Sequence, residues 1–207
     1  KTARIQGSGF NNPVSWDPLN VLLAQIEPDG GVGLAKQLVY AVAFKQWSTE
    51  LFYDAGNAAG SPLGAVQGAK VNYGCVSADT IQEIDGSLFW VSTNRAGSAQ
   101  VVILDKLKAD VISTKSVQRL LDGADFSTAR SWQFKADGHS FYVITVTSLN
   151  ITLAYDVAER LWAQWTDASG NYFKMVASTY TTGMDKIMQH ESNGKLYKFD
   201  SAYTTDD

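Results

Sequence analysis

The chain has 207 residues, of which 45% are apolar and 18% charged, with a formal net charge of −4. Such a length can bury a real core, and such a composition excludes a disordered chain. The acidic balance excludes a protein whose main task is gripping nucleic-acid phosphates, and the apolar runs fall short of a membrane span.

In chain order, strand signals begin with "QLVYAVAF" (37–44) and "TELFYD" (49–54). Two glycine-rich stretches read as loops flank this pair, "GGVGLAK" (30–36) before it and "DAGNAAGSPLGAVQGAK" (54–70) after it. "SLFWVS" (87–92) and "AQVVILD" (99–105) follow, rich in the β-branched and aromatic residues that suit a pleated surface. "STKSVQRLLDGAD" (113–125) breaks the pattern. Ser113 or Thr114 can cap a helix, Val117, Leu120 and Leu121 share one face, and Gly123 stops it. The spacing predicts one short helix near 114–122, lying between two sheets. Strand signals resume with "SWQFKA" (131–136), "SFYVITV" (140–146), "ITLAYD" (151–156) and "LWAQWT" (161–166). The last are "FKMVASTY" (173–180), "KIMQH" (186–190) and "KLYKFD" (195–200).

The chain repeats itself. "DGSLFWV" at Asp85 returns as "DGHSFYV" at Asp137, and strands end in Asp at 54, 105, 156 and 200, at offsets of 51, 51 and 44. Self-similarity near this period in an all-strand chain is the signature of a β-propeller with one blade per repeat. The predicted fold is therefore all-β, a single propeller-like domain over 1–207. It has about four antiparallel blades near 36–77, 78–128, 129–174 and 175–207. In "SFYVITV" both alternating sets are largely apolar, as in a strand sandwiched between neighbouring blades. The strand-end aspartates read as turn-formers that fold back onto main-chain N–H groups.

The order of features adds a resemblance. "FNNPVSWDPLNVLLAQIEPD" (10–29) precedes "LVYAVAFKQWSTELFYDAG" and "GAVQGAKVNYGCVSADTI", followed by "DGSLFWVS", "ISTKSVQRLL", "GHSFYVITV" and "LAYDVAERLWAQW". Over roughly residues 10 to 166 this resembles the tail and packaged-DNA-stabilisation proteins of short-tailed bacteriophages. The resemblance implies a virion structural protein of the phage tail, made in the host cytoplasm. It would self-associate in a ring, contact the portal or other tail proteins, help build the DNA exit channel and retain packaged DNA. It implies no membrane and no sequence-specific nucleic-acid binding. Two departures stand out: "STNRAGSAQ" (92–100) replaces a sharper turn, and the chain opens at Lys1 where a family member would already be inside a blade. Either upstream blades of a longer chain precede it, or the N-terminal strands close a small ring by pairing with the last blade.

The second functional class is a carbohydrate-binding or glycoside-processing propeller. Glycoside chemistry needs two carboxyl groups roughly 5 to 9.5 Å apart, and Glu83, Asp85, Asp137 and Asp185 sit on turns at equivalent blade positions. A sugar platform would draw on Trp47, Trp90, Trp132, Trp162 and Trp165, although Trp90 and Trp162 lie in strand patterns that suit a core. His139 and His190 have no ligand partner at i+2 or i+4, and Cys75 reads as a buried small residue. Neither a GxSxG nor a phosphate-binding loop occurs. No catalytic, cofactor-binding or metal residues are assigned, and no enzyme activity is expected.

Overall fold

The computed structural model describes residues 3–9, 11–57, 60–93, 97–181 and 186–200. Among the described residues seventeen strands form five antiparallel sheets. β1 (Ala3–Gln6) and β2 (Val21–Ala24) pair, among the described residues, only with each other. The first four-stranded sheet contains β3 (Gly31–Gln37), β4 (Tyr40–Lys45), β5 (Thr49–Asp54) and β6 (Leu63–Val71). The second contains β7 (Gln82–Ile84), β8 (Ser87–Thr93), β9 (Ala99–Asp105) and β10 (Lys108–Val111). The third contains β11 (Arg130–Ala136), β12 (His139–Val146), β13 (Ile151–Asp156) and β14 (Leu161–Trp165). β15 (Met175–Tyr180), β16 (Lys186–His190) and β17 (Leu196–Phe199) make a three-stranded fourth sheet. Within each sheet strands follow chain order as a meander, the blade topology that the repeat predicts.

The sheets stack face on face. Leu88 and Trp90 of β8 join Val42, Phe44 and Leu51 of the first sheet in one core, while Phe89 and Val91 of the same strand join Tyr142 and Ile144 of the third. β12 does the same one blade on: Tyr142, Ile144 and Val146 face the second sheet, and Phe141 and Val143 face the fourth. Thr145 sits on that second face, its hydroxyl 2.9 Å from that of Thr152. Alternation places successive side chains on opposite faces, so a strand apolar throughout must be covered on both. The helix α1 (Lys115–Leu121) fills the layer between the second and third sheets with Val117 and Leu121. Thr114 is its cap, its Oγ1 accepting from the Val117 N–H at 3.3 Å.

Several expectations are corrected. The stretch 37–44 is not one strand: Leu38 takes φ 52° and turns the chain between β3 and β4. The glycine-rich stretch 30–36 is β3, not a loop, so the first blade starts earlier than 36. Gly33 is there for close approach, since a Cβ would lie 3.0 Å from Ile81 Cδ1. The second glycine-rich stretch contains β6, whose pairing to β5 shifts register between Glu50 and Phe52. Gly68, at φ 78°, supplies backbone freedom in that irregular strand. The short strands β1, β2, β7 and β10 are not among the predicted ones, and β2, though apolar throughout, spans only four residues. β1 and β2 pack Ile5, Leu22 and Ala24 against Ala43 and Phe52 of the first sheet, and do not pair with the fourth.

Candidate functional site

The repeated Asp-Gly phrase makes the first hairpin of two blades. Asp85-Gly86 and Asp137-Gly138 have φ values of 51° and 81°, and 52° and 85°, the paired positive angles of a tight two-residue hairpin turn. Each Asp then meets a Lys of the next sheet: Asp85 pairs with Lys135, and Asp137 lies 3.8 Å from Lys186. The Lys135 hydrogen bond, then that of Ser140, holds the Asp85 carboxyl below its usual value. Main-chain groups repeat the linkage. Gln82 Nε2 donates to the Ser131 carbonyl at 2.9 Å, and Trp162 Nε1 to that of Ile112 at 3.0 Å. Ser178 and Tyr180 donate their hydroxyls to the carbonyls of Gln133 and Lys135.

Asp85 and Asp137 sit on turns of different sheets, each beside its own lysine, and Glu83 is an exposed residue of β7. Asp185 lies outside the described residues. Two of the strand-end aspartates act as expected: Asp54 Oδ1 accepts from the Gly56 N–H at 3.0 Å, and Asp156 Oδ1 from those of Ala158 and Glu159 at 2.9 and 3.1 Å. Asp156 has a second task that the sequence did not reveal, because its Oδ2 lies 2.6 Å from His139 Nδ1 across the hairpin. Burial would raise the Asp156 carboxyl, but the Glu159 N–H, His139 and the Ala158 N–H together bring it below its usual value. His190 Nδ1 instead accepts from the Ser192 N–H at 3.2 Å. Among the described residues no three His, Cys, Asp or Glu side chains group as metal ligands.

Cys75 is buried, its sulfur donating to the Ser77 carbonyl at 3.1 Å, and burial pushes its thiol up to about 11. The tryptophans divide among different layers. Trp90 lies in the core between the first and second sheets, its Nε1 donating to the Gly74 carbonyl at 2.8 Å. Trp162 packs in the next layer on Tyr155, and Trp47 donates its N–H to Asp29. Only Trp132 and Trp165 meet, with ring centres 6.0 Å apart.

Beside Trp165 the third and fourth sheets leave an open cleft of about 700 Å³. Phe134, Phe141, Trp165, Phe173, Met188 and Phe199 supply its apolar wall, with His139 and Gln164 also lining it. Lys186 Nζ stands 5.4 Å from the Phe199 ring centre and 6.0 Å from that of Phe134. The cleft has the chemistry to bury an apolar or aromatic side chain.

Sequence reasoning also missed a buried charge cluster. Lys45 Nζ lies 3.0 Å from Asp29 Oδ1, contacts Glu50 Oε1 at 2.5 Å and donates to the Glu27 carbonyl at 2.8 Å. It ties the segment after β2 to the β4–β5 hairpin. Burial would raise the Asp29 carboxyl, yet the bonds from Lys45, the Trp47 N–H and Ser48 leave it lowered. Only the fold brings these residues together; no local pattern marks them.

No curated protein matches the chain. The family model described as "Bacteriophage P22 Gp10, beta-propeller" matches residues 2–204. With its antiparallel four-stranded blades, the chain belongs to this phage stabilisation family, and is a phage structural protein of the kind that stabilises packaged DNA.

Proposed function

We propose that the chain forms a rigid, non-enzymatic part of the tail wall around the DNA exit path, as a single propeller-like domain. It self-associates in a ring and abuts the portal or other tail proteins. The observation that supports this reading is the stacking of sheets whose central strands are buried on both faces. Such layers resist shear because every displacement breaks packing on two sides. Retention of packed DNA calls for that stiffness, while ejection calls for a wall with little phosphate grip. Each phosphate neutralised by Lys or Arg adds salt-dependent affinity. Here 17 Lys and Arg face 21 Asp and Glu, and the lysines of the inter-blade seams already have acidic partners.

Mass spectrometry of purified particles, combined with duplex-binding titrations near physiological salt, tests the reading. The chain is expected in the particle, with no sequence preference for duplex DNA. Particles lacking it are expected to leak their genome. Absence from the particle, or tight sequence-selective binding, overturns the proposal.

A further inference from the structure

β11 is the end strand of the third sheet and, among the described residues, pairs only with β12. The two-residue Asp137-Gly138 turn makes Ala136 and His139 a hydrogen-bonded pair. Alternate residues back along the strand, Phe134, Trp132 and Arg130, therefore bond to β12. The main-chain groups of Ser131, Gln133 and Lys135 point the other way, to the edge of the sheet. All three carbonyls there accept from side chains. Gln82 Nε2 of the second sheet donates to that of Ser131 at 2.9 Å, and the Ser178 and Tyr180 hydroxyls of the fourth donate to those of Gln133 and Lys135. Ser178 and Tyr180 stand two apart on β15, hence on one face, in step with carbonyls two apart on β11.

An edge strand with bare main-chain acceptors is a template for another strand, and folded proteins block such edges. Gln133 and Lys135 are exposed, so this part of the edge lies within reach of solvent. We infer that β11 is a latent strand-pairing edge held closed by side chains from both flanking blades, and that the strand it excludes is β11 of a second copy. The sequence suits that pairing. Antiparallel about Gln133, two copies would exchange the N–H and carbonyl of that residue. Trp132 would then stand opposite Phe134, Ser131 opposite Lys135 and Arg130 opposite Ala136, with no like charges opposed. A capped carbonyl must give up its side-chain donor before it can accept from an incoming strand, whereas an uncapped one exchanges only water. The same three bonds join the second and fourth sheets to the third, so opening the edge also loosens the blades. This contact is separate from the ring reading above and does not rest on it.

Two measurements on the full chain test this, both under conditions where urea curves show each variant folded. Sedimentation over a concentration series compares the wild type with the uncapped chain, Ser178→Ala with Tyr180→Phe. The uncapped chain is expected to self-associate about tenfold or more tightly than the wild type, the scale of two lost hydrogen bonds. Gln133→Cys is then introduced into the capped and uncapped chains, the buried Cys75 being left in place, and each is oxidised mildly. Directly opposed residues of two antiparallel strands lie close enough for a disulfide. A dimer linked through residue 133 is expected from the uncapped chain and not from the capped one. Tyr180→Phe alone, which removes a single hydroxyl, carries both readouts if the double variant does not stay folded. The disulfide in the uncapped chain alone sustains the inference. Its absence there, or its equal formation by the capped chain, overturns it whatever the sedimentation shows.

Discussion

Lys45 and Asp29 form a buried ion pair, Nζ to Oδ1 3.0 Å, between a strand of the first blade and the segment that joins it to the N-terminal sheet. Glu50 closes the cluster from β5, its Oε1 also accepting from the Ile26 N–H at 3.0 Å. One cation thus organises two carboxylates and a backbone carbonyl in a site closed to water. An arrangement of this kind positions chain segments strictly, because removal of the cation leaves two buried carboxylates without their counterpart.

Replacing the cation should therefore be severe. Lys45→Met keeps the length of the stem but leaves Asp29 and Glu50 buried without compensation, at a cost of about 3–5 kcal/mol. Urea unfolding of the variant against the wild type measures it. A loss below about 1 kcal/mol would show that the cluster is solvated in solution.

Acid should act on the same cluster through Asp29. Its carboxyl is lowered in the folded state, so the pair's stabilisation is fully present above the unfolded-state value of about 4. It is lost as pH falls through the lower folded-state value. Melting temperatures from pH 7 down to pH 3 should fall more steeply for the wild type than for Asp29→Asn, which is less stable at neutral pH. Parallel curves would remove Asp29 from the acid response.

Gly74 is expected to tolerate no side chain. A Cβ there would lie 2.1 Å from the Gln46 carbonyl oxygen and 2.5 Å from the Trp47 nitrogen, both backbone atoms that cannot swing aside. Its own carbonyl receives Trp90 Nε1, so displacement would also disturb the core of the first two blades. Gly74→Ala should cost about 1–3 kcal/mol or more by overpacking, seen as a lowered melting temperature or loss of soluble protein. Wild-type stability would contradict the close approach.

The Cys75 thiol should be inert in the native protein. Its burial, and a pKa pushed up to about 11, leave almost no accessible thiolate at pH 8. A chromogenic disulfide reagent should react slowly with the folded chain and with one equivalent of thiol after denaturation. Rapid native labelling would show that the layer beneath β8 opens readily.

The architecture was legible because it is written locally and more than once. "DGSLFWV" and "DGHSFYV" encode a tight turn followed by a strand with two apolar faces, and such a strand is stable only between two covering layers. The turn roles of Asp54 and Asp156 were legible for the same reason: a carboxylate at Asp156 reaches N–H groups two and three residues on, a distance set by the sequence itself. Thr114 and the Val117–Leu121 face likewise announced α1 within one turn of chain. Glycine misled where its role was tertiary. Gly33 permits Ile81 to approach β3, and from sequence such a glycine cannot be told from one that merely loosens a loop. The His139–Asp156 contact, the Lys45 cluster, and the cleft around Trp165 join residues from different strands or sheets. Their partners are chosen by register and by how blades stack, and none of these distances exists until the sheets have packed.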